Sequence, residues 1–256
     1  MKTYLPSPHL QPFIQVYRVI ESQDEKVNRV LPDTTPAIAF RFKGQVRYLE
    51  GEQSTVVLPA AVISGLRNTV RLINYQPDTA TMIVQFKAAG AAAFFKTPLH
   101  ELFEHSVSLD HFINRQQITD LEEQLSAATT DAQRVLLLDN FLLAQLRFPR
   151  QDTLVLNALQ QIHIANGDVN MKALATSHYI SQDAFEKRFR KVMGTTPKQM
   201  ASIIRMRAVL QQPPAGRNLT HLALDAGYFD QAHFNRSFKR FTGLTPTAFF
   251  QAPSFW

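Results

Sequence analysis

The sequence contains no cysteine. Disulfide frameworks, thiolate zinc sites, iron–sulfur clusters and cysteine nucleophiles are thereby excluded, and a reducing cytosol suits such a chain. No apolar run reaches the ~18 residues needed to cross a bilayer. The start, MKTYLPSPHLQPF, has one lysine and early prolines but no apolar signal core, so no secretory signal is expected. Catalytic motifs are missing too. The histidines at 9, 100, 105, 111, 163, 178, 221 and 233 form no His-x-His or His-x-x-x-His pair, the spacing a metal-dependent barrel would carry. Their nearest cluster, His100, Glu101, Glu104 and His105, has an i, i+5 spacing that shares a helix face poorly, so we read it as a surface helix. Gly-x-Ser-x-Gly is absent, and Gly90 in its Ala-Ala-Gly-Ala setting is no phosphate loop. No catalytic residue, metal ligand or cofactor is expected.

What is present is an ordinary globular composition. The 256 residues are 45% hydrophobic and 19% charged, enough for one large domain or two of common size. The charge is unevenly placed. Residues 1–150 hold 15 Lys/Arg and 15 Asp/Glu, whereas residues 151–256 hold 12 Lys/Arg and 6 Asp/Glu. The whole excess of +6 thus lies in the C-terminal part. A neutral half joined to a basic half suggests a polyanionic partner for the latter; a solvated basic surface is the plainer alternative.

Hydrophobic periodicity divides the chain in the same place. From Arg29 to Lys87 short β-branched stretches alternate with Gly, Pro and Asn, the pattern of an antiparallel sandwich or barrel. After Ala88 spacings of three and four take over, with helices expected near 117–127 and 131–147. Phe148-Pro149-Arg150-Gln151-Asp152 marks the boundary, with Asp152 as an N-cap. Only helices are expected beyond it. The fold class is therefore α+β: a β-rich domain with trailing helices over 1–150, then an all-α domain over 151–256.

The basic part repeats itself. SQDAFEKRFRKVMGTTPKQM at 181–200 aligns with DQAHFNRSFKRFTGLTPTAF at 230–249, at an offset of 49. Gln182/Gln231, Phe185/Phe234, Phe189/Phe238, Gly194/Gly243, Thr196/Thr245 and Pro197/Pro246 are identical, and Lys and Arg exchange at 187/236, 190/239 and 191/240. Each copy reads physically as a capped amphipathic helix. Ser181 and Asp230 are N-caps. Phe185, Phe189 and Val192, like Phe234, Phe238 and Phe241, place one aromatic stripe inward. The opposite faces carry Gln182, Asp183, Glu186, Lys187 and Arg190, then Gln231, Ala232, Asn235, Arg236 and Lys239. Gly194 and Gly243 close the helices, and Pro197 and Pro246 open the next. A short helix precedes each, at 171–177 and 220–226. Short helix, turn, and capped helix with a basic outer face make a helix-turn-helix, twice, with 197–211 as the connecting helix.

Gly227-Tyr228-Phe229-Asp230-Gln231-Ala232-His233-Phe234, followed by Phe238-Lys239-Arg240-Phe241-Thr242-Gly243-Leu244-Thr245-Pro246, closely resembles the signature of AraC/XylS-type transcription regulators. The similarity covers about residues 152–250. Leu31-Pro32-Asp33, Leu58-Pro59 and Gln85-Phe86-Lys87-Ala88-Ala89-Gly90-Ala91 make residues 1–150 resemble the sensor domain of one subgroup. The resemblance implies a cupin-like barrel followed by helices, which senses a small molecule, mediates dimerisation, or both. It implies promoter DNA as partner, with RNA polymerase and a second copy of the chain as further partners, no membrane, and a cytoplasmic location on the nucleoid when DNA is bound. Base-reading helices would span 182–192 and 231–241. Their outward N-terminal residues are Gln182, Asp183, Glu186 and Lys187, then Gln231, Ala232, His233 and Arg236. Arg190, Lys191, Lys239 and Arg240 would face phosphates or solvent.

Four residues depart from the family pattern. Asp183 and Glu186 put acids on the first reading face, His178 stands where a glycine often supports the turn, and Phe250 replaces a usual basic residue. In the N-terminal half, Phe40, Phe42, Tyr48 and Phe86 are candidate ligand-cavity residues, although the same alternation fills a solid core and we take core filling first. A purely structural dimerisation domain with no effector is the alternative. The aromatic tail Phe249, Phe250, Phe255 and Trp256 is expected to pack on its own domain.

Overall fold

The computed structural model describes residues 1–50, 54–147, 151–211 and 219–251. Ten strands come first: β1 (Lys2–Tyr4), β2 (Ile14–Ser22), β3 (Lys26–Val30), β4 (Ala37–Lys43), β5 (Val46–Glu50), β6 (Ser54–Val57), β7 (Ala61–Ser64), β8 (Arg71–Tyr75), β9 (Thr79–Phe86) and β10 (Ser106–Ser108). They form two antiparallel sheets, in the orders β1-β2-β9-β4-β7-β10 and β3-β8-β5-β6. The arrangement is a cupin-like sandwich, not a closed barrel. Strands β1, β2 and β10 were not legible in the sequence, and β3 begins three residues before the expected strand region.

Alternation decides what each face of the larger sheet meets. On β4, Ile38 and Phe40 are buried on one face, and the small residues Ala37 and Ala39, with Arg41, occupy the other. The bulky face packs under two helices, α1 (Arg115–Ala127) and α2 (Asp131–Gln145), in one core with Phe86, Phe94, Leu121, Leu138 and Leu142. Asn114 caps α1, and Thr130 with Gln133 forms a capping box on α2. Both helices lie within two residues of the expected spans. The buried Asp139 of α2 accepts from the Tyr17 hydroxyl at 2.6 Å and the Ser7 amide at 2.9 Å, so helix and sheet share polar contacts as well as apolar ones.

The remaining helices build a second core. They are α3 (Thr153–Ile164), α4 (Met171–Ser177), α5 (Gln182–Met193), α6 (Pro197–Gln211), α7 (Leu219–Asp225), α8 (Gln231–Thr242) and α9 (Pro246–Gln251). Asp152 caps α3 as expected, accepting from Val155 N, and also pairs with Arg188 of α5 at 2.5 Å. Burial raises the Asp152 carboxyl, but the Arg188 and Val155 hydrogen bonds outweigh it, and its pKa lies below the usual range. Phe148, Pro149 and Arg150 of the expected boundary lie outside the described residues, as do Phe255 and Trp256 of the aromatic tail. Phe249 and Phe250 pack on Phe238 of their own domain, with ring centroids 5.3 and 5.7 Å away. Among the described residues, no helix is long and apolar enough to cross a membrane.

Candidate nucleic-acid interface

Helices α5 and α8 are built alike. The Ser181 hydroxyl accepts from Ala184 N at 3.3 Å, and the Asp230 carboxylate accepts from His233 N at 2.6 Å. Both helices end on a glycine with φ 78°, Gly194 and Gly243, a left-handed conformation that costs other residues a steric penalty. Phe185 and Phe189 on α5 and Phe234 and Phe238 on α8 are fully buried. The inward row of α5 ends on Met193 rather than Val192, which is only half-buried. With the aromatic stripes turned inward, the opposite faces must face solvent. Gln182, Asp183, Lys187 and Arg190 are exposed, as are Gln231, Ala232, His233, Arg236 and Lys239; Glu186 and Asn235 are half-buried.

The two faces differ in charge. On α5, Lys187 bonds Asp183 at 2.8 Å and Gln182 donates to Glu186 at 3.0 Å. The Asp183 hydrogen bond and charge raise the Lys187 pKa. Both acids of this face are therefore engaged along their own helix. Helix α8 carries no acid between Gln231 and Thr242, and Arg236 has no ion-pair partner among the described residues. The second unit thus offers an open cation to a polyanion, and the first offers a self-neutralised face with Arg190 and Lys191 beyond it.

The turns differ as well. The residue of the first turn in the left-handed region is Tyr179 (φ 56°), not His178 (φ −99°). Ile180 N donates to Ala175 O, and Tyr228 N donates to Ala223 O in the second unit, so Tyr179 occupies the place of Gly227 (φ 71°). The second turn is one residue longer, which is why an offset of 49 fixed on the following helices misplaces it by one. Tyr179 is 99% exposed and Phe229 is 89% exposed. Helix α6 joins the two units, and its 15 residues span roughly 22 Å.

The C-terminal ends of both helices rest on the sheet domain. The Gly194 backbone lies against Leu99, so close that an added Cβ would stand 3.0 Å from the Leu99 carbonyl oxygen. Arg29 of β3 donates to Thr242 O at 3.2 Å, and Val70 N to Arg240 O at 3.4 Å. A guanidinium at the C-terminal end of α8 also complements the helix dipole. On α6, Arg207 pairs with Asp33 at 3.2 Å and donates to Pro32 O. Leu31, Leu66, Ala89 and Phe103 pack into the helical core.

Beneath these contacts lies a cavity of about 300 Å³ between the two sheets. Its walls come from the small-residue face of β4, the matching faces of β7 and β9, and Val46, Ile73 and Tyr75 of the smaller sheet. Phe40, Phe42, Tyr48 and Phe86 do not line it. Phe40 and Phe86 are fully buried on the opposite face. Phe42 stacks under Arg134, and Tyr48 lies under Arg71 with the guanidinium 3.9 Å from the ring centre. Bulky side chains fill space, so room remained where β4 is small. Four arginines missed by the sequence reading, Arg18, Arg41, Arg67 and Arg71, line the cavity instead. The signal available was a cation recurring among apolar strand residues.

The His100–His105 segment is not a surface helix. Leu99–Leu102 forms a 3₁₀ turn against α5, and Glu104 (φ 65°) turns back to accept from Asn68 N and the Thr69 hydroxyl. No group of three His, Cys, Asp or Glu among the described residues is placed to hold a metal ion.

The geometry defines a tandem helix-turn-helix protein, and comparison with known proteins agrees. Residues 174–252 match the model of a helix-turn-helix domain, and residues 2–108 match that of a domain of unknown function, DUF6597. Residues 174–252 thus form a helix-turn-helix domain of the AraC/XylS type. No curated protein matches the chain in sequence. Similar solved structures include ToxT from Vibrio cholerae, at 11% identity over 92% of this chain and 96% of that one, with a TM-score of 0.47. A ToxT structure from the same organism with an unsaturated fatty acid bound is 10% identical over 91% and 94%, with a TM-score of 0.45. A DNA-binding transcriptional dual regulator from Escherichia coli K-12 is 21% identical over 40% of this chain and 98% of that one, with a TM-score of 0.36.

Proposed function

We propose that this regulator reads two successive major grooves on one side of a duplex, with α5 and α8 as the reading helices, α6 as their spacer and a small effector held in the sheet-domain cavity. The division of labour runs 1–150 for sensing and 151–256 for DNA. The observation that carries the reading is the duplication itself. Two helices with matching caps, buried phenylalanine rows and exposed polar faces are joined by a rigid link, and both are seated on the domain that encloses the cavity. Successive grooves lie ~34 Å apart, a distance that a spacer of roughly 22 Å plus the bodies of two small units can bridge.

Roles follow from hydrogen-bonding capacity. Arg236 pairs with guanine O6/N7, Gln182 and Gln231 with adenine, and Asp183 or Glu186 accepts from cytosine N4 once its partner along the helix lets go. Lys187, Ala232, His233 and Asn235 complete the two reading faces, and Arg190 and Lys239, with Lys191 and Arg240, take phosphates. A second copy of the chain and RNA polymerase are the protein partners of this reading. Its test is selection of bound fragments from random genomic DNA by the full chain. An asymmetric site of roughly two helical turns per chain is expected. Recovery of unenriched DNA, or of a site one groove wide per chain, overturns it.

A further inference from the structure

We propose that Tyr179 and Phe229 are specificity-determining residues, one in each unit, whose rings pack on thymine 5-methyl groups where the reading helices enter their grooves; this rests on the groove reading above and adds to it two residues outside both helices. Among the described residues these two are the only exposed aromatic side chains, at 99% and 89%. All the others are buried or half-buried. Water does not welcome a bare ring, and a fold with so many phenylalanines has interior places for them. That the two exceptions fall one per unit, in the turn that leads into each reading helix, is the observation that carries the inference.

The two turns reach this result by different routes. Ile180 and Tyr228 are equivalent, each donating its amide back to the preceding short helix, and Ser181 and Asp230 are equivalent N-caps. No residue lies between Ile180 and Ser181, so Phe229 is the extra residue of the second turn. Tyr179 instead occupies the left-handed position that glycine fills without strain in the second unit. Neither ring is needed to close its turn. Ile180 packs against the helical core, and Tyr228 is buried with its ring 5.3 Å from those of His233 and Phe234. One unit holds an aromatic residue in a disfavoured backbone state and the other inserts one, and in both the ring stands clear of the core.

Position and chemistry name the target. Tyr179 stands three residues before Gln182, and Phe229 two before Gln231. The N-terminal end of a recognition helix is the part that meets base edges. A phenylalanine ring donates no hydrogen bond, so Phe229 has nothing to offer a phosphate. The apolar group on a major-groove edge is the thymine 5-methyl, which an aromatic ring covers well. The Tyr179 ring does the same in the first groove. Both rings sit at the opposite end of their helices from Arg190, Lys191, Lys239 and Arg240, the cations assigned to phosphates. A protein-docking patch is built from contiguous apolar residues and has no reason to recur once per reading helix, whereas a contact to a duplex does.

The test uses the full chain and a fragment that it selects from genomic DNA, with thymines replaced one at a time by deoxyuridine, which lacks only the methyl group. Two thymines, one in each groove, should prove methyl-sensitive, each replacement weakening binding about fourfold, the equivalent of one buried methyl group. Phe229→Ala should lose the sensitivity at one of these thymines and Tyr179→Ala at the other. Tyr179→Phe should keep both, because the hydroxyl plays no part. Since both side chains are exposed, the alanine variants should melt with the parent, which separates a lost contact from a lost fold. A selected site without methyl-sensitive thymines, sensitivity that survives in the alanine variants, or an equal loss on selected and random DNA overturns the inference and leaves the groove reading standing. Recovery of unenriched DNA in the selection overturns both.

Discussion

Truncating the central phenylalanine of each reading helix should destabilise the second unit more than the first. Phe189 and Phe238 are equivalent in the repeat and equally buried, at 0% exposure. Replacing either by Ala removes a ring from a packed core, which costs about 3–5 kcal/mol by lost transfer energy and residual cavity. Their neighbours set the order within that range. Among the described residues Phe189 has one ring partner, Phe185, at 5.7 Å. Phe238 has three among the described residues: Phe234 at 5.5 Å, Phe249 at 5.3 Å and Phe250 at 5.7 Å. Each aromatic pair contributes about 0.5–1.5 kcal/mol beyond area burial, so two extra pairs put Phe238→Ala roughly 1–3 kcal/mol beyond Phe189→Ala. Urea unfolding followed by circular dichroism measures both variants against the parent. A Phe238→Ala protein as stable as the parent would mean that the stripe faces solvent. A larger loss for Phe189→Ala would refute the accounting by ring contacts.

Arg236→Ala should lose about 1–3 kcal/mol of discrimination between the selected site and random DNA, whereas Lys239→Ala should weaken both alike. Competition binding separates the two outcomes, and an equal loss for Arg236→Ala on both DNAs would count against the assigned reading face. Tyr179→Gly should stabilise the chain by about 1 kcal/mol, since a fully exposed side chain is being held in the left-handed region. A lower melting temperature would show that the tyrosine contributes something its exposure conceals. The native pKa of Asp152 is lowered, so its contribution is complete above the unfolded carboxylate value near 4 and is lost as pH falls through the native value. Asp152→Asn should flatten that part of the acid unfolding profile, and an unchanged acid limb would contradict it.

The DNA-binding part was legible because its determinants are local. A cap, an i, i+4 phenylalanine pair and a closing glycine all lie within 14 residues, and the repeat states them twice. Even there one feature escaped. Identity at an offset of 49 aligns His178 with Gly227, but the first turn is one residue shorter, and the left-handed site falls on Tyr179. The cavity was less legible because its determinants are long-range. Arg67, Arg71 and Ser106 meet only through pairing of distant strands, and nothing in their sequence neighbourhoods marks them as partners. Alternation along β4 shows that Phe40 and Phe42 share a face, but not whether helices or a cavity cover it. The seats of α5 and α8 on Leu99, Arg29 and Val70 join segments far apart in the chain, and no periodicity reports such contacts.

The central claim is that two basic helix-turn-helix units of one chain engage one duplex together. The salt dependence of binding to a selected fragment tests this most directly. If each chain neutralises about four to six phosphates, the logarithm of the association constant should fall against the logarithm of salt concentration with a slope of about −4 to −5 per chain. A slope near zero would contradict the claim.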